Sequence, residues 1–384
     1  MKKILLVGEY GAINGGENSL MAILPRLQEL GFSFHALVPP DSNFSAALNR
    51  LNVPTSPFEP GSGPTRKSQD EIRNDIASVI DEVKPDLIHA NSLSTGRLCG
   101  PVASQLDVPS LGYLRDIIGL SKKAVSDISQ LDRIVAVSEA TRQFHIQQGM
   151  TAEKMVTIHN GVDLDKFQPA NSADANADAH QIRKQLNIPS DSRLLLYVGQ
   201  IGMRKGPDTL LDAFSILRTQ FEQLHLAIVG IRHSQKDEAI IYEQQLHQKC
   251  EPFTQHVHWL GRRDDIPQLM RAATLLIHAA RQEPLGRVLL EASASGLPIA
   301  ATNVGGTNEI LGASADFPFP HELTCDKDQP QSLANIASRL LNSPDEYQSV
   351  SRRLRESAES RFTISRCAAQ LAETYNQVLA LRNT

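Results

Sequence analysis

Residues 274–301 read TLLIHAARQEPLGRVLLEASASGLPIAA. An apolar run at 274–278 leads into a Pro-Leu-Gly turn. An apolar segment carrying Glu291 follows, and then a second apolar run at 297–301. Short apolar runs on either side of a longer segment predict a strand–helix–strand unit of a parallel sheet. Pro284 presets the backbone for a helix start, and Gly286 removes a side chain where something must approach closely. The amides of Leu285, Gly286 and Arg287 then point outward without internal partners, which suits a phosphate group. Glu291 lies about 9 Å further along such a helix.

That distance matches the sugar–diphosphate–ribose part of a nucleotide sugar. Glu283 and Glu291 then read as two hydrogen-bond acceptors, one for sugar hydroxyls and one for ribose hydroxyls, with the diphosphate between them. The alternative is two solvated acids on an ordinary αβ unit, and spacing alone favours it. The context favours the first reading. From Glu283 to Pro298 the residues EPLGRVLLEASASGLP resemble the signature of the retaining GT4 glycosyltransferases, E-P-x-G-x-x-x-x-E-A-x-A-x-G-x-P. Residues 197–206, YVGQIGMRKG, are similar to that family's strand, glycine loop and Lys-Gly. Residues 134–140, IVAVSEA, and 160–163, NGVD, are also family landmarks. The resemblance covers essentially the whole chain. It implies an α/β protein of GT-B fold, two Rossmann-like doubly wound domains facing each other across a cleft.

The rest of the chain repeats the alternation. Strands are predicted at 3–8, 33–38, 86–90, 109–113, 133–137 and 155–158, with helical stretches such as 17–30 and 68–83 between them. The pattern restarts at 193–198, 224–229, 256–260, 274–278 and 297–301. Between the halves, residues 169–192 include the polar, low-complexity NSADANADA and read as a linker or surface excursion, with a helix beginning near Gln181. The domains expected are therefore 1–168 on the acceptor side and 193–365 on the nucleotide-sugar side. The resemblance adds a C-terminal helix, 366–384, that crosses back onto the first domain.

A length of 384 residues suits two domains, each burying its own core. Hydrophobic residues at 41% and charged residues at 21% describe a globular protein. A net charge of −5 supplies no basic field, so no nucleic-acid partner is expected. Arg66-Lys67 and Lys122-Lys123 read as solvated pairs. The apolar start is too short for a secretory signal, and no run is long enough to span a bilayer. A cytoplasmic location follows as the expectation, with peripheral contact at the inner membrane face left open. Cys99, Cys250, Cys325 and Cys367 are scattered, which favours free thiols over a zinc site.

Arg204 and Lys205 follow the glycine turn that begins at Gly199. Preorganised cations stabilise the charge that develops on a departing diphosphate, and the resemblance makes Lys205 the family's phosphate lysine. Many members carry Arg where this chain has Gln200, so either Arg204 supplies that guanidinium from further along or the site works with one fewer cation. Gly15-Gly16 resembles the first-domain glycine loop, although a plain tight turn explains it equally. The spacing is not that of a dinucleotide fingerprint. Where members have His-Asp, this chain has Arg115-Asp116. Asp116 can orient a sugar or acceptor hydroxyl, or it can pair structurally with Arg115. Gly305-Gly306 are similar to the second-domain glycine turn. Arg262 and Arg263 read as a solvated loop, His89 and His159 receive no role, and Trp259 reads as core.

The function expected is retaining transfer of a hexosyl group from a nucleoside-diphosphate sugar to a hydroxyl acceptor, in envelope polysaccharide or glycolipid synthesis. Glu283, Lys205, Arg204 and Asp116 are the candidates nearest the chemistry. Gly199, Leu285, Gly286, Arg287 and Glu291 are donor-binding candidates. No cofactor and no metal is expected, since no Asp-x-Asp triplet lies in these motifs. A sugar-nucleotide epimerase or hydrolase of the same fold is an alternative, as is a non-catalytic nucleotide-sugar binding module.

Overall fold

Seven parallel strands build the first sheet: β1 (Lys2–Val7), β2 (Phe32–Val38), β3 (Thr55–Pro57), β4 (Leu87–Ala90), β5 (Ser110–Leu114), β6 (Arg133–Ala136) and β7 (Met155–Thr157). Six more build the second: β8 (Arg193–Val198), β9 (Leu224–Val229), β10 (Val257–Gly261), β11 (Leu275–His278), β12 (Ile299–Thr302) and β13 (Thr324–Cys325). The computed structural model describes residues 1–61, 63–170, 173–189, 191–312 and 322–381. The chain divides into Met1–Gly161 with Ile364–Thr384, and Val162–Thr363.

In the first unit the strand order is β3-β2-β1-β4-β5-β6-β7. Ile4 to Val7 and Leu87 to Ala90 are buried along their whole runs because helices cover both faces, as parallel sheets require. Ile72, Ile76 and Ile80 recur at helical spacing on Gln69–Val83 and pack into the core with Leu5, Val7 and Ile88. That helix starts at a Ser68–Glu71 capping box. The helix Ile364–Ala380 belongs to this unit. Its Tyr375 hydroxyl lies 2.6 Å from His89 Nδ1, and its ring meets Phe32 edge-on.

In the second unit the order is β10-β9-β8-β11-β12-β13. The Ala- and Asp-rich stretch expected as a linker instead carries the helix Ala173–Gln185. It lacks a clean apolar period, but alanine is the best helix former. Ile182 is buried, and an Arg271–Asp178 ion pair joins the helix to Ile266–Ala272. Trp259, expected in the core, is only half-buried on the edge strand β10, where its ring meets that of His247 at 4.3 Å, tilted by 43°. Strands β3 and β13 escaped the sequence reading because each is a short edge segment without an apolar run.

Each order reverses at one place, between β1 and β4 in the first sheet and between β8 and β11 in the second. Open α/β sheets bind ligands beyond the carboxyl ends of the strands at such switch points. Among the described residues, no helix is long and apolar enough to cross a membrane. Cys99, Cys250 and Cys367 are buried and Cys325 is half-buried, all as free cysteines.

Candidate active site

The loop leaving β8 is held from several sides. Gly199 donates its amide to Val229 O at 2.9 Å, and Tyr197 Oη donates to Gln200 O at 3.1 Å. A single turn, Met203–Lys205, follows and is closed by Lys205 N donating to Gly202 O at 2.9 Å. Gly206 then opens the helix Pro207–Arg218 at φ 61°, and a Cβ there would lie 2.0 Å from Ala279 O. Only glycine fits, so the turn bearing Lys205 lies against the backbone that leaves β11.

That neighbouring backbone delivers Glu283. The Lys205 ammonium is bonded to Glu283 Oε2, and His278 Nε2 stands 3.1 Å from the same oxygen. Glu283 is only 6% exposed. Burial alone would raise its pKa, but Lys205 and then His278 outweigh this and hold the carboxyl well below the usual range. Burial lowers the His278 pKa against the opposing pull of Glu283. The site is therefore a buried ion pair beside a neutral imidazole. Gly305 adopts φ 53°, and Gly306 N donates to Glu283 O at 3.0 Å, so the second glycine turn anchors the backbone of Glu283.

Glu283 also stands just before a helix start. Gly286, at φ 101°, caps Arg287–Ala294, and its carbonyl accepts from Leu289 N at 3.0 Å and Leu290 N at 3.2 Å. The first-turn amides of Arg287 and Val288 are of the kind an α-helix leaves without an internal carbonyl. Gly286 makes room for the chain itself, since a Cβ there would lie 2.6 Å from Leu289 Cδ1. The Leu285 side chain is buried, so only its backbone can face a ligand. Glu291 is 8% exposed, with Oε1 3.0 Å from Arg287 Nε. Burial raises its pKa, opposed by Arg287 and Lys166. Arg204 is exposed on the same turn as Lys205 and reaches Gln282 O at 3.4 Å.

The first-unit candidates form a separate group. Gly15 begins the helix Gly15–Glu29, and a Cβ there would meet nothing within 4 Å. At Gly16 a Cβ would lie 3.1 Å from Arg115 Cδ. Arg115 donates to Asn160 Oδ1 at 2.8 Å and Asn91 Oδ1 at 3.2 Å, with its guanidinium 3.7 Å from the centre of the Tyr113 ring. The guanidinium thus turns to two neutral amides, and the structural pairing with Asp116 is not formed. Asp116 is exposed, and its carbonyl accepts from His145 Nε2 at 2.9 Å. His89 is fully buried, and its Nε2 has no hydrogen-bond partner among the described residues. Burial, then Arg115, pushes its pKa down to about 3.

Two residues of the second unit were missed. His278 ends a strand as many core histidines do, and only the fold shows that it faces Glu283. Arg281, which pairs with Asp208 and Asp328 beside the Lys205 turn, gave no signal because those partners are distant in sequence. Among the described residues, no group of three or more His, Cys, Asp or Glu side chains is placed to hold a metal ion.

The family description "Glycosyl transferases group 1" matches residues 178–360, and "Glycosyltransferase Family 4" matches residues 13–166. The chain belongs to the GT4-type glycosyltransferases. Among its relatives is D-inositol 3-phosphate glycosyltransferase 1 of Catenulispora acidiphila, 27% identical over 67% of this chain and 64% of that one. A second, from Thermobispora bispora, is 28% identical over 68% of this chain and 59% of its own length. The chain thus spans about three-fifths of these relatives. Anabaena Alr3699/HepE in complex with UDP-glucose superposes with a TM-score of 0.82 at 24% identity, covering 98% of this chain and all 100% of that one. Sucrose-phosphate synthase of Thermosynechococcus elongatus gives 0.80 at 21% identity, covering 99% and 100%. At these identities the likeness establishes the fold, which is GT-B.

Proposed function

We propose that the chain is a retaining glycosyltransferase that moves a hexosyl group from a nucleoside-diphosphate sugar to a hydroxyl acceptor. One observation carries this reading. Lys205, Glu283 and the amino end of the helix Arg287–Ala294 meet at the carboxyl ends of β8 and β11, within one unit. A diphosphate at that helix start has backbone amides on one side and the cations of Lys205 and Arg204 on the other. Glu283, ionised at neutral pH, accepts hydrogen bonds from hydroxyls of the donor sugar, and Glu291 accepts from the ribose.

In the proposed step the bond from the anomeric carbon to the phosphate oxygen breaks as the acceptor oxygen bonds to the same face. The acceptor proton passes to the departing phosphate. No protein nucleophile is needed, and the charge that develops falls on the diphosphate, where Lys205 and Arg204 are preorganised to meet it. Because these groups supply the neutralising charge, transfer is proposed to be metal-independent. The first unit, with Gly15, Gly16 and Asp116 beyond its own switch point, is proposed to take the acceptor. Placement in polysaccharide or glycolipid building rests on family resemblance, and placement in the cytoplasm on the unpaired cysteines.

UDP-glucose is the first donor to test, because a structural neighbour is named as its complex. A donor that binds only the folded chain raises the melting temperature by mass action, so thermal shift against UDP- and GDP-sugars identifies the base. The decisive variant is Glu283→Gln, which keeps shape and removes charge. Transfer should fall by about 100-fold or more, measured below a melting point that drops because Lys205 loses its buried partner. Undiminished transfer in that variant would refute the reading.

A further inference from the structure

Arg281 lies beyond β11, and its polar contacts lead to the loop and helix that follow β8 and to Asp328. Its backbone amide donates to Arg204 O at 2.8 Å, and its Nη1 donates to Met203 O at 2.8 Å. The same guanidinium grips Asp208 at 2.8 and 2.6 Å, reaches Thr209 Oγ1 at 3.3 Å, and donates from Nε to Asp328 Oδ1 at 2.6 Å. Asp208 in turn accepts from Tyr242 Oη at 2.5 Å. A guanidinium has five N–H donors, and these contacts provide an acceptor for each. None remains to meet a substrate.

The two ends of this grip enclose the turn that presents Lys205. Met203 and Arg204 precede the lysine, and Asp208 and Thr209 open the helix after it. Gly206, at φ 61° against Ala279 O, closes the gap between them. Sliding this turn along β11 would carry Lys205 away from Glu283; Arg281 crosses from the β11 loop to the β8 loop and helix, and Arg204 and Lys205 cross the other way. A lysine would replace it poorly, since three donors on one nitrogen cannot reach Met203 O, Asp208, Thr209 and Asp328 together.

We propose that Arg281 is a positioning residue that acts through Lys205, fixing the turn Met203–Lys205 so that the ammonium meets the diphosphate of the donor. The inference rests on the diphosphate reading above. A double-mutant cycle tests it: the full chain, R281M, K205M and the double variant are titrated calorimetrically with UDP and with GDP. Whichever nucleotide the wild type binds, K205M should weaken it, R281M should weaken it about tenfold, and the double variant should bind no worse than K205M, the signature of two residues acting as one. Losses that multiply in the double variant would show Arg281 working independently, and wild-type affinity in R281M would show it idle. Either result overturns the inference and leaves the donor site standing. Neither nucleotide binding the wild type, or K205M binding like wild type, removes the diphosphate reading and this inference together. If a truncation fails to fold, the charge-keeping pair R281K and K205R carries the same cycle.

Discussion

His89 and His278 occupy comparable places in the two sheets. Each is buried on the strand that pairs with the first strand of its sheet, across the point where strand order reverses. Burial lowers the pKa of both imidazoles. Their partners differ in kind. His89 meets a phenol and stands near Arg115, whose own acceptors are two neutral amides. His278 meets the carboxylate of Glu283, which also holds Lys205. The same topology thus carries an arginine cation held by neutral dipoles in one unit and a buried ion pair in the other. An ionic site fixed in advance suits a ligand that gains negative charge as it leaves, whereas neutral dipoles suit hydroxyl groups.

The largest effect that would sharpen this contrast is on stability. K205M strands a buried carboxylate, which should cost roughly 3–5 kcal/mol. R115M strands only two amide oxygens, roughly 1–3 kcal/mol. Equal losses in chemical denaturation would erase the distinction between the units. Next comes the pair G206A and G16A. The first forces a left-handed residue against a carbonyl, which should cost roughly 2–4 kcal/mol. The second presses on a flexible arginine stem and should cost under about 1 kcal/mol. Matching melting temperatures would contradict the close approach at Gly206.

Much of this was legible beforehand, and the exceptions share a cause. Strands such as Ile4–Val7 and Leu194–Val198 announce themselves because parallel strands are apolar on both faces. Glu283 and Lys205 could be nominated from local motifs. Their meeting could not be read, since it depends on β8 and β11 being neighbours. Arg281 was invisible for the same reason, as each of its acceptors lies far away in sequence. At Gly286 the need for glycine was legible but its beneficiary was not. The close neighbour is Leu289 of the same chain. In Ala173–Gln185 intrinsic propensity prevailed where an apolar period was the only signal sought.

A pH measurement tests the surroundings of His89. His89 has a folded pKa of about 3 against the ordinary 6.5. Its depressed value means stability is fully present above pH 6.5 and is lost as pH falls from there toward 3. By linkage the loss amounts to a few kcal/mol. H89Q should flatten unfolding free energy between pH 6.5 and 4, and a curve parallel to wild type would count against the buried neutral imidazole. The smallest expected effect is at Gly15. G15A adds a methyl where nothing stands within 4 Å, at a helix start, so stability should change by less than about 1 kcal/mol. If transfer nonetheless falls, the open space at Gly15 is a seat for substrate. If transfer is unchanged, Gly15-Gly16 is a plain turn.

The first unit takes its last helix from residues that follow the whole of the second. A ribosome delivers the amino end first, so Val162–Thr363 is synthesised and free to fold before Tyr375 emerges. Until then Phe32 lacks its edge-on ring and His89 its phenol. The unit that holds Met1–Gly161 is therefore completed only after Val162–Thr363 has been made. The nascent chain keeps an apolar seat open on its first sheet throughout that interval.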